Sequence, residues 1–260
     1  KLEQAISERT KAIVPVHLTG NMVKMNSLMA LADKYNLHVV EDSCQALLAH
    51  QDQRIAGTWG IAGAFSFHPL KSLNVWGDGG IIVTNDEEIN DKLRLLRNHG
   101  MYNRDKIEIL GYNSRLDSIQ AIVARPQIGS VQENIEKRIS NAAFYDANLA
   151  DCEEITIPLR DKNIRQVYHL YMVFADRRDE LYHWCRDRGI GAKIHYPIPL
   201  YKQEALNFMD YQPNEFPVAN CHSRKVISFP VDEFKTKVEL QLVIETVTSF
   251  YQKYPGEMAI

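Results

Sequence analysis

Cysteine is scarce in this 260-residue chain. There are four, at Cys44, Cys152, Cys185 and Cys221, and no two form a C-x-x-C pair. Spacing of that kind argues against a disulfide framework or a cysteine-rich zinc site, and for reduced thiols in the cytoplasm. Neither sign of charge dominates: 30 Lys and Arg stand against 33 Asp and Glu, a net charge of −3. A phosphate-backbone binder gathers its cations into patches or stripes, and none is present here. The nine histidines show no metal-ligand spacing. No apolar run approaches the length of a membrane span, no signal-peptide pattern opens the chain, and no repeat or low-complexity tract interrupts it. What is left, 45% hydrophobic and 24% charged residues, is the composition of a soluble globular protein. Its length suits one large domain or up to two smaller ones.

The apolar pattern reads as an α/β layer followed by a smaller α+β part. "KLEQAISERT" predicts a helix running into a buried strand, "KAIVPVHL". Met25, Leu28, Met29 and Ala32 recur at helical spacing, and "LHVVED" follows as a second strand. Strand, helix, strand makes a right-handed crossover with parallel strands. "GAFSFH" and "GGIIVT" are two more strands, and "DEEINDKLRLLRNHG" is a helix started by acids and ended by Arg97, His99 and Gly100. Residues 117–149 stay helical, although Pro126 predicts a kink or a break. "VYHLYMVF" and "IGAKIHY" read as strands, "DRRDELYHWCRDRG" as a helix, and a last long helix covers Thr236 to Tyr251. The expected division is 1–116 for the sheet layer and 117–260 for a linking helix plus the smaller domain.

In open α/β sheets, ligands bind at the carboxyl ends of the strands. That rule gathers Asp42, Gln45, Ser66, His68 and Lys71 at one edge. Lys71 stands alone among apolar and turn-forming residues in "SFHPLKSLNVWGDGG". One reading is an Asp42–Lys71 ion pair with an ordinary glycine turn. A phosphate-cradling loop fails, because neither "GTWGIAG" nor "GDGG" fits a known phosphate-loop spacing. The third reading is a Schiff-base lysine. A free lysine has a pKa of about 10.4, so it needs desolvation to become a nucleophile near neutrality. Phe67, Leu70, Leu73 and Trp76 would form the apolar pocket for it. Pyridoxal phosphate suits such a group: it wants a lysine, an acid for its pyridine nitrogen and donors for its phosphate.

"VVEDSCQA", "GAFSFHPLKSLNVWGDGGIIVTND", "RNHG", "GYNSRLDSIQA" and "GIGAKIHYPIPL" occur in an order that resembles the DegT/DnrJ/StrS-type nucleotide-sugar aminotransferases. The resemblance runs from about Lys11 to Phe250 and implies the type I, aspartate aminotransferase-like pyridoxal-phosphate fold. It further implies that Lys71 carries the cofactor as a Schiff base and then moves protons. Asp42 would pair with the pyridine nitrogen, Gln45 would lie against the ring near its phenolic oxygen, and Ser66 would bind the phosphate. Asn113 would reach the phosphate of a neighbouring subunit, making the enzyme a homodimer with shared sites. His195 would face the sugar pocket, and His68 would bind substrate or simply pack. The substrates implied are a nucleotide-linked keto sugar and an amino donor, glutamate or glutamine.

The sequence departs from that family in two further places. The family's chains start well before this one, with a phosphate-holding loop at a helix N-terminus, so the sequence reads as N-terminally truncated. Leu47 and Leu48 stand where family members often carry His and Gly. Relatives that act as sugar dehydratases typically replace the lysine by histidine, so Lys71 favours transamination. A non-catalytic or regulatory fragment of the same fold is the alternative from another class.

Overall fold

The computed structural model describes residues 1–254. Two compact units divide the chain: residues 1–136 with 161–169, and residues 137–160 with the segment from 170 onward.

The first unit is built on a four-stranded sheet. β1 (Ala12–Ile13) and β2 (His38–Asp42) run parallel, joined over α1 (Met25–Lys34). Two short strands, β3 (His50–Gln51) and β4 (Arg54–Ile55), form a hairpin before the sheet resumes with β5 (Ala62–Ser66), parallel to β2. β6 (Gly80–Val83) returns antiparallel along β5, giving the order β1-β2-β5-β6. The pattern of α1 explains its seat: Met25, Leu28 and Ala32 are buried together and face the sheet. β6 leaves Ile81 and Ile82 exposed. α2 (Glu87–Leu96) follows, its first turn capped by the Asp86 carboxylate on Ile89 N–H.

α3 (Ser118–Ile128) carries Pro126 without a break at the proline itself; the helix stops two residues later, and α4 (Val131–Leu149) begins after a Gly129–Ser130 turn. Proline cannot donate to the carbonyl four residues back, and so late in the helix that loss is small. β7 (Ile155–Thr156), β9 (Tyr171–Ala175) and β10 (Val226–Phe229) make an antiparallel sheet in the second unit, in the order β10-β9-β7. β8 (Ile164–Arg165) instead joins β3 in the first unit. α5 (Arg178–Asp187), α6 (Pro217–Lys225) and α7 (Lys237–Lys253) are the remaining helices among the described residues, besides short 3-10 turns. α7 opens on a capping box between Thr236 and Glu239. No described helix is long and apolar enough to cross a membrane.

Three expectations are corrected. The N-terminal helix is only a single 3-10 turn, Glu3–Ala5, with no buried residue to hold a longer one. The first strand is cut short at Ile13, because Pro15 has no N–H to offer; its carbonyl still accepts from Asp42 N–H, and Val16 regains the pairing with Asp42. "IGAKIHY" forms one isolated bridge, Lys193 to Ser228, rather than a strand. The β3–β4 hairpin was not foreseen, since its turn, Asp52–Gln53, adopts positive φ at both residues without the usual glycine.

Candidate active site

The parallel pairing of β2 and β5 sets Asp42 opposite Ala64, so both strands end on the same side of the sheet. β5 ends at Ser66, and the chain then leaves on a loop pinned at both ends. Phe67 N–H donates to Gly79 O, and Val75 N–H closes back to Phe67 O at 3.1 Å. Lys71 sits within that loop, its own N–H on His68 O. The sequence and topology together therefore bring Asp42, Ser66, His68 and Lys71 to one edge.

Lys71 is half-buried, and desolvation holds its ammonium below the usual lysine range; Cys44 and the Asp42 carboxylate oppose that shift through their charges. The two charged groups feel each other, yet no direct ion pair joins them among the described residues. The apolar surround is smaller than the sequence suggested. Phe67 and Leu73 are buried, as is Val75, whereas Leu70 and Trp76 are 68% and 81% exposed. The tight His68–Lys71 turn swings Leu70 outward, and Trp76 lies in the left-handed region at φ 61°.

The other predicted residues divide into two kinds. Ser66 Oγ accepts His68 N–H at 3.2 Å, which leaves its O–H free to donate to an anion. Gln45 Oε1 accepts Thr19 N–H at 2.6 Å, and Asp42 Oδ1 accepts Cys44 N–H at 3.1 Å. His68 is exposed, and its Nδ1 accepts Leu70 N–H, so its ring serves the local turn. Asn113 is exposed too, in an isolated bridge with Asn98. His195 belongs to the second unit. Its Nδ1 lies 3.1 Å from Ser228 Oγ, and desolvation, then the Lys193 charge, press its pKa below the ordinary imidazole value.

A lysine of lowered basicity, a carboxylate, a hydroxyl with a free proton and a side-chain amide form the donor set pyridoxal phosphate requires. The residues present fit the group.

Against this geometry the comparisons are decisive. The sequence profile of the DegT/DnrJ/EryC1/StrS aminotransferase family matches residues 1–248. The chain belongs to that family. Its aminotransferases depend on pyridoxal phosphate, and the type I fold is theirs. The chain is similar to dTDP-3-amino-3,4,6-trideoxy-alpha-D-glucose transaminase of Streptomyces venezuelae, 36% identical over 252 residues, covering 97% of this chain and 66% of that one. It is also similar to the Geobacillus stearothermophilus protein named "Pleiotropic regulatory protein", 34% identical, covering 98% and 69%. The solved structure of S. venezuelae DesV in complex with a ketimine intermediate superposes with a TM-score of 0.93 at 37% identity, covering 96% of this chain and 67% of that one. The chain thus spans about two thirds of the length of the relatives it matches.

Two buried residues of this DegT/DnrJ/EryC1/StrS chain were missed by sequence reasoning. Glu41, beside Asp42, is fully buried and accepts Gly57 N–H at 2.7 Å, Trp59 N–H at 2.5 Å, Gly60 N–H at 2.9 Å and His17 Nε2 at 3.0 Å. Burial pushes its pKa up, but these bonds together outweigh burial and hold the carboxyl below the usual range. The signal was available: Glu41 shares the inward face of β2 with Val39, where a carboxylate needs partners. Gly57 supplies one of them at φ 83°, and a Cβ there would press on the Phe65 ring.

Proposed function

We propose that the protein transfers an amino group from glutamate or glutamine to the keto carbon of a nucleotide-linked sugar, as a cytoplasmic homodimer with shared sites. The observation that carries this reading is the half-buried lysine of lowered basicity at the strand edge beside a carboxylate, in a chain of this family. Relatives named for dTDP- and UDP-sugar amination support the substrate class.

Bound pyridoxal phosphate would supply an aldehyde that carries the amino group and a ring that draws off electrons. The chain's own residues set up that chemistry. Lys71, its ammonium destabilised by desolvation, would be the nucleophile and the base that moves a proton at the substrate carbon. Asp42 would pair with the pyridine nitrogen and favour its protonated form. Gln45, its oxygen held by Thr19 N–H, would present an amide at the ring, and Ser66, its oxygen held by His68 N–H, would donate its O–H to the phosphate. Asn113, exposed here, would reach the site of the partner subunit. His195 and His68 would meet the sugar. By role, residues 1–116 hold the cofactor and 117–260 form the linking helix and small domain.

The test is an absorbance spectrum with added pyridoxal phosphate, before and after borohydride, followed by keto-sugar nucleotides with glutamate or glutamine. A visible band that borohydride fixes to Lys71, absent in Lys71→Ala, supports the reading; its absence in folded protein refutes it. The relative named as a regulatory protein favours a second reading, a fold kept for regulation. Cofactor binding without amino transfer to any keto-sugar nucleotide would select it.

A further inference from the structure

The turn from His17 to Gly20 meets the candidate site in three places, through residues that no role above includes. His17 N–H donates to Asp42 O at 3.0 Å. The His17 ring is fully buried, and Val23 N–H donates to its Nδ1 at 3.2 Å. A backbone amide can only donate, so Nδ1 is the acceptor and Nε2 carries the ring proton. That proton goes to Glu41 Oε2 at 3.0 Å. The third contact is Thr19 N–H to Gln45 Oε1 at 2.6 Å. Thr19 and Gly20 both lie in the left-handed region, at φ 62° and 86°. A Cβ on Gly20 would stand 3.0 Å from Gln45 O and 2.8 Å from Val167 Cγ2, so the turn is closely packed over Gln45.

The Thr19 contact decides which way round the Gln45 amide lies. Oxygen and nitrogen of a side-chain amide are told apart by their partners, and a donor demands the oxygen. The NH2 group therefore faces away from the turn and makes no hydrogen bond among the described residues. The amide nitrogen is not fully buried, so it is open to a ligand.

We propose that the His17–Gly20 turn positions Gln45: the Thr19 amide fixes the side chain so that its NH2 is presented to an anionic ring oxygen of the bound cofactor, and the buried His17–Glu41 pair keeps the turn in register with β2. This rests on the pyridoxal-phosphate reading above. His17 and Thr19 act through Gln45 and touch no substrate, so they are positioning residues.

The experiment is a pH titration of the visible band in wild type, Gln45→Leu, His17→Leu and the double variant. A donor on a phenolate oxygen stabilises that anion most when the neighbouring Schiff-base nitrogen has lost its proton. Losing the donor therefore raises the pH midpoint, here by about one unit, in Gln45→Leu and His17→Leu alike. In the double variant the shift is no larger than in Gln45→Leu alone, since the two act on one contact. A merely structural His17 would lower the melting temperature and leave the midpoint unmoved, or add its effect to that of Gln45→Leu; either result overturns the proposal. Where His17→Leu does not fold, His17→Asn replaces it, keeping an acceptor for Val23 but not the reach to Glu41.

Amide exchange at Thr19 in the cofactor-free chain gives an independent reading. Its protection falls at least several-fold in Gln45→Leu if the contact holds, and an unchanged rate overturns the proposal. A wild type without a visible band would instead sink the cofactor reading, and Thr19 exchange would still decide whether the turn holds Gln45.

Discussion

Gln127 grips the backbone of Asn74 from both sides: its Oε1 accepts Asn74 N–H at 3.3 Å, and its Nε2 donates to Asn74 O at 2.9 Å. One face of α3 is thereby fastened to the loop that bears Lys71. Seven residues earlier on the same helix, Gln120 Nε2 donates to Asp78 O at 2.8 Å, further along that loop. Two helical turns separate the glutamines, so both stand on one face. The lysine is held in place by side-chain amides reading main chain, not by packing alone.

Gln127→Leu removes both bonds to Asn74 while keeping the bulk. Leaving a part-buried amide and carbonyl unpaired costs about 1–3 kcal/mol. The midpoint of urea unfolding is expected to fall accordingly, and the affinity for pyridoxal phosphate, read by fluorescence titration, to weaken with it. An unchanged affinity would mean that the loop is set without α3.

Glu41→Gln tests the buried carboxylate. Each of its oxygens accepts two donors, so an NH2 in either place meets N–H groups head on. We expect a loss of about 2–4 kcal/mol, two orphaned donors at roughly 1–2 each. The pH dependence follows from the sign of the shift. The folded carboxyl is held below its unfolded value, so its contribution is complete above about pH 4.5 and is lost as pH falls through the folded pKa. Melting temperatures between pH 3 and 6 should drop less steeply in the variant than in wild type.

Leu48 occupies the left-handed region at φ 63°, its carbonyl held by Arg165 at 3.0 Å, while Arg165 also pairs with Glu136 at 2.6 Å. Leu48→Ala and Leu48→Gly remove the same side-chain packing and differ in the backbone. Glycine ordinarily costs about 0.5–1 kcal/mol relative to alanine. Here the order should invert, with Leu48→Gly the more stable of the two by about 1 kcal/mol. Chemical denaturation of the pair decides it; alanine more stable than glycine would show that the left-handed conformation is not enforced.

Lys71 should react before the surface lysines. Desolvation lowers its pKa, so the penalty on its charged form is fully present below the folded pKa and lifts as pH rises through that value towards the unfolded one. Brief treatment with pyridoxal phosphate and borohydride at pH 7.5, followed by peptide mapping, is expected to label the Lys71 peptide first. Lys71→Met should remove the matching rise in stability with pH below the ordinary lysine range. Uniform labelling across the lysines would contradict the burial argument.

Much of this protein was legible in its residues. The apolar periodicities of α1, β2, β5 and α7 are local, so they survive reading without neighbours. An isolated lysine, an acid at a strand end and the ordered motifs around them pointed to the cofactor class, because that chemistry requires those residue types. Where the reading failed, the deciding partner lay far along the chain or in the backbone. The Asp52–Gln53 turn has no glycine to announce it, and the outward turn of Leu70 and Trp76 depends on loop hydrogen bonds. Only the tertiary structure set the His17 ring between the Val23 amide and Glu41, placed Thr19 N–H on Gln45, and brought Gln127 to Asn74. Residue types alone determine which groups can donate or accept. Which donor meets which acceptor is fixed by distances that exist only after the sheet has formed.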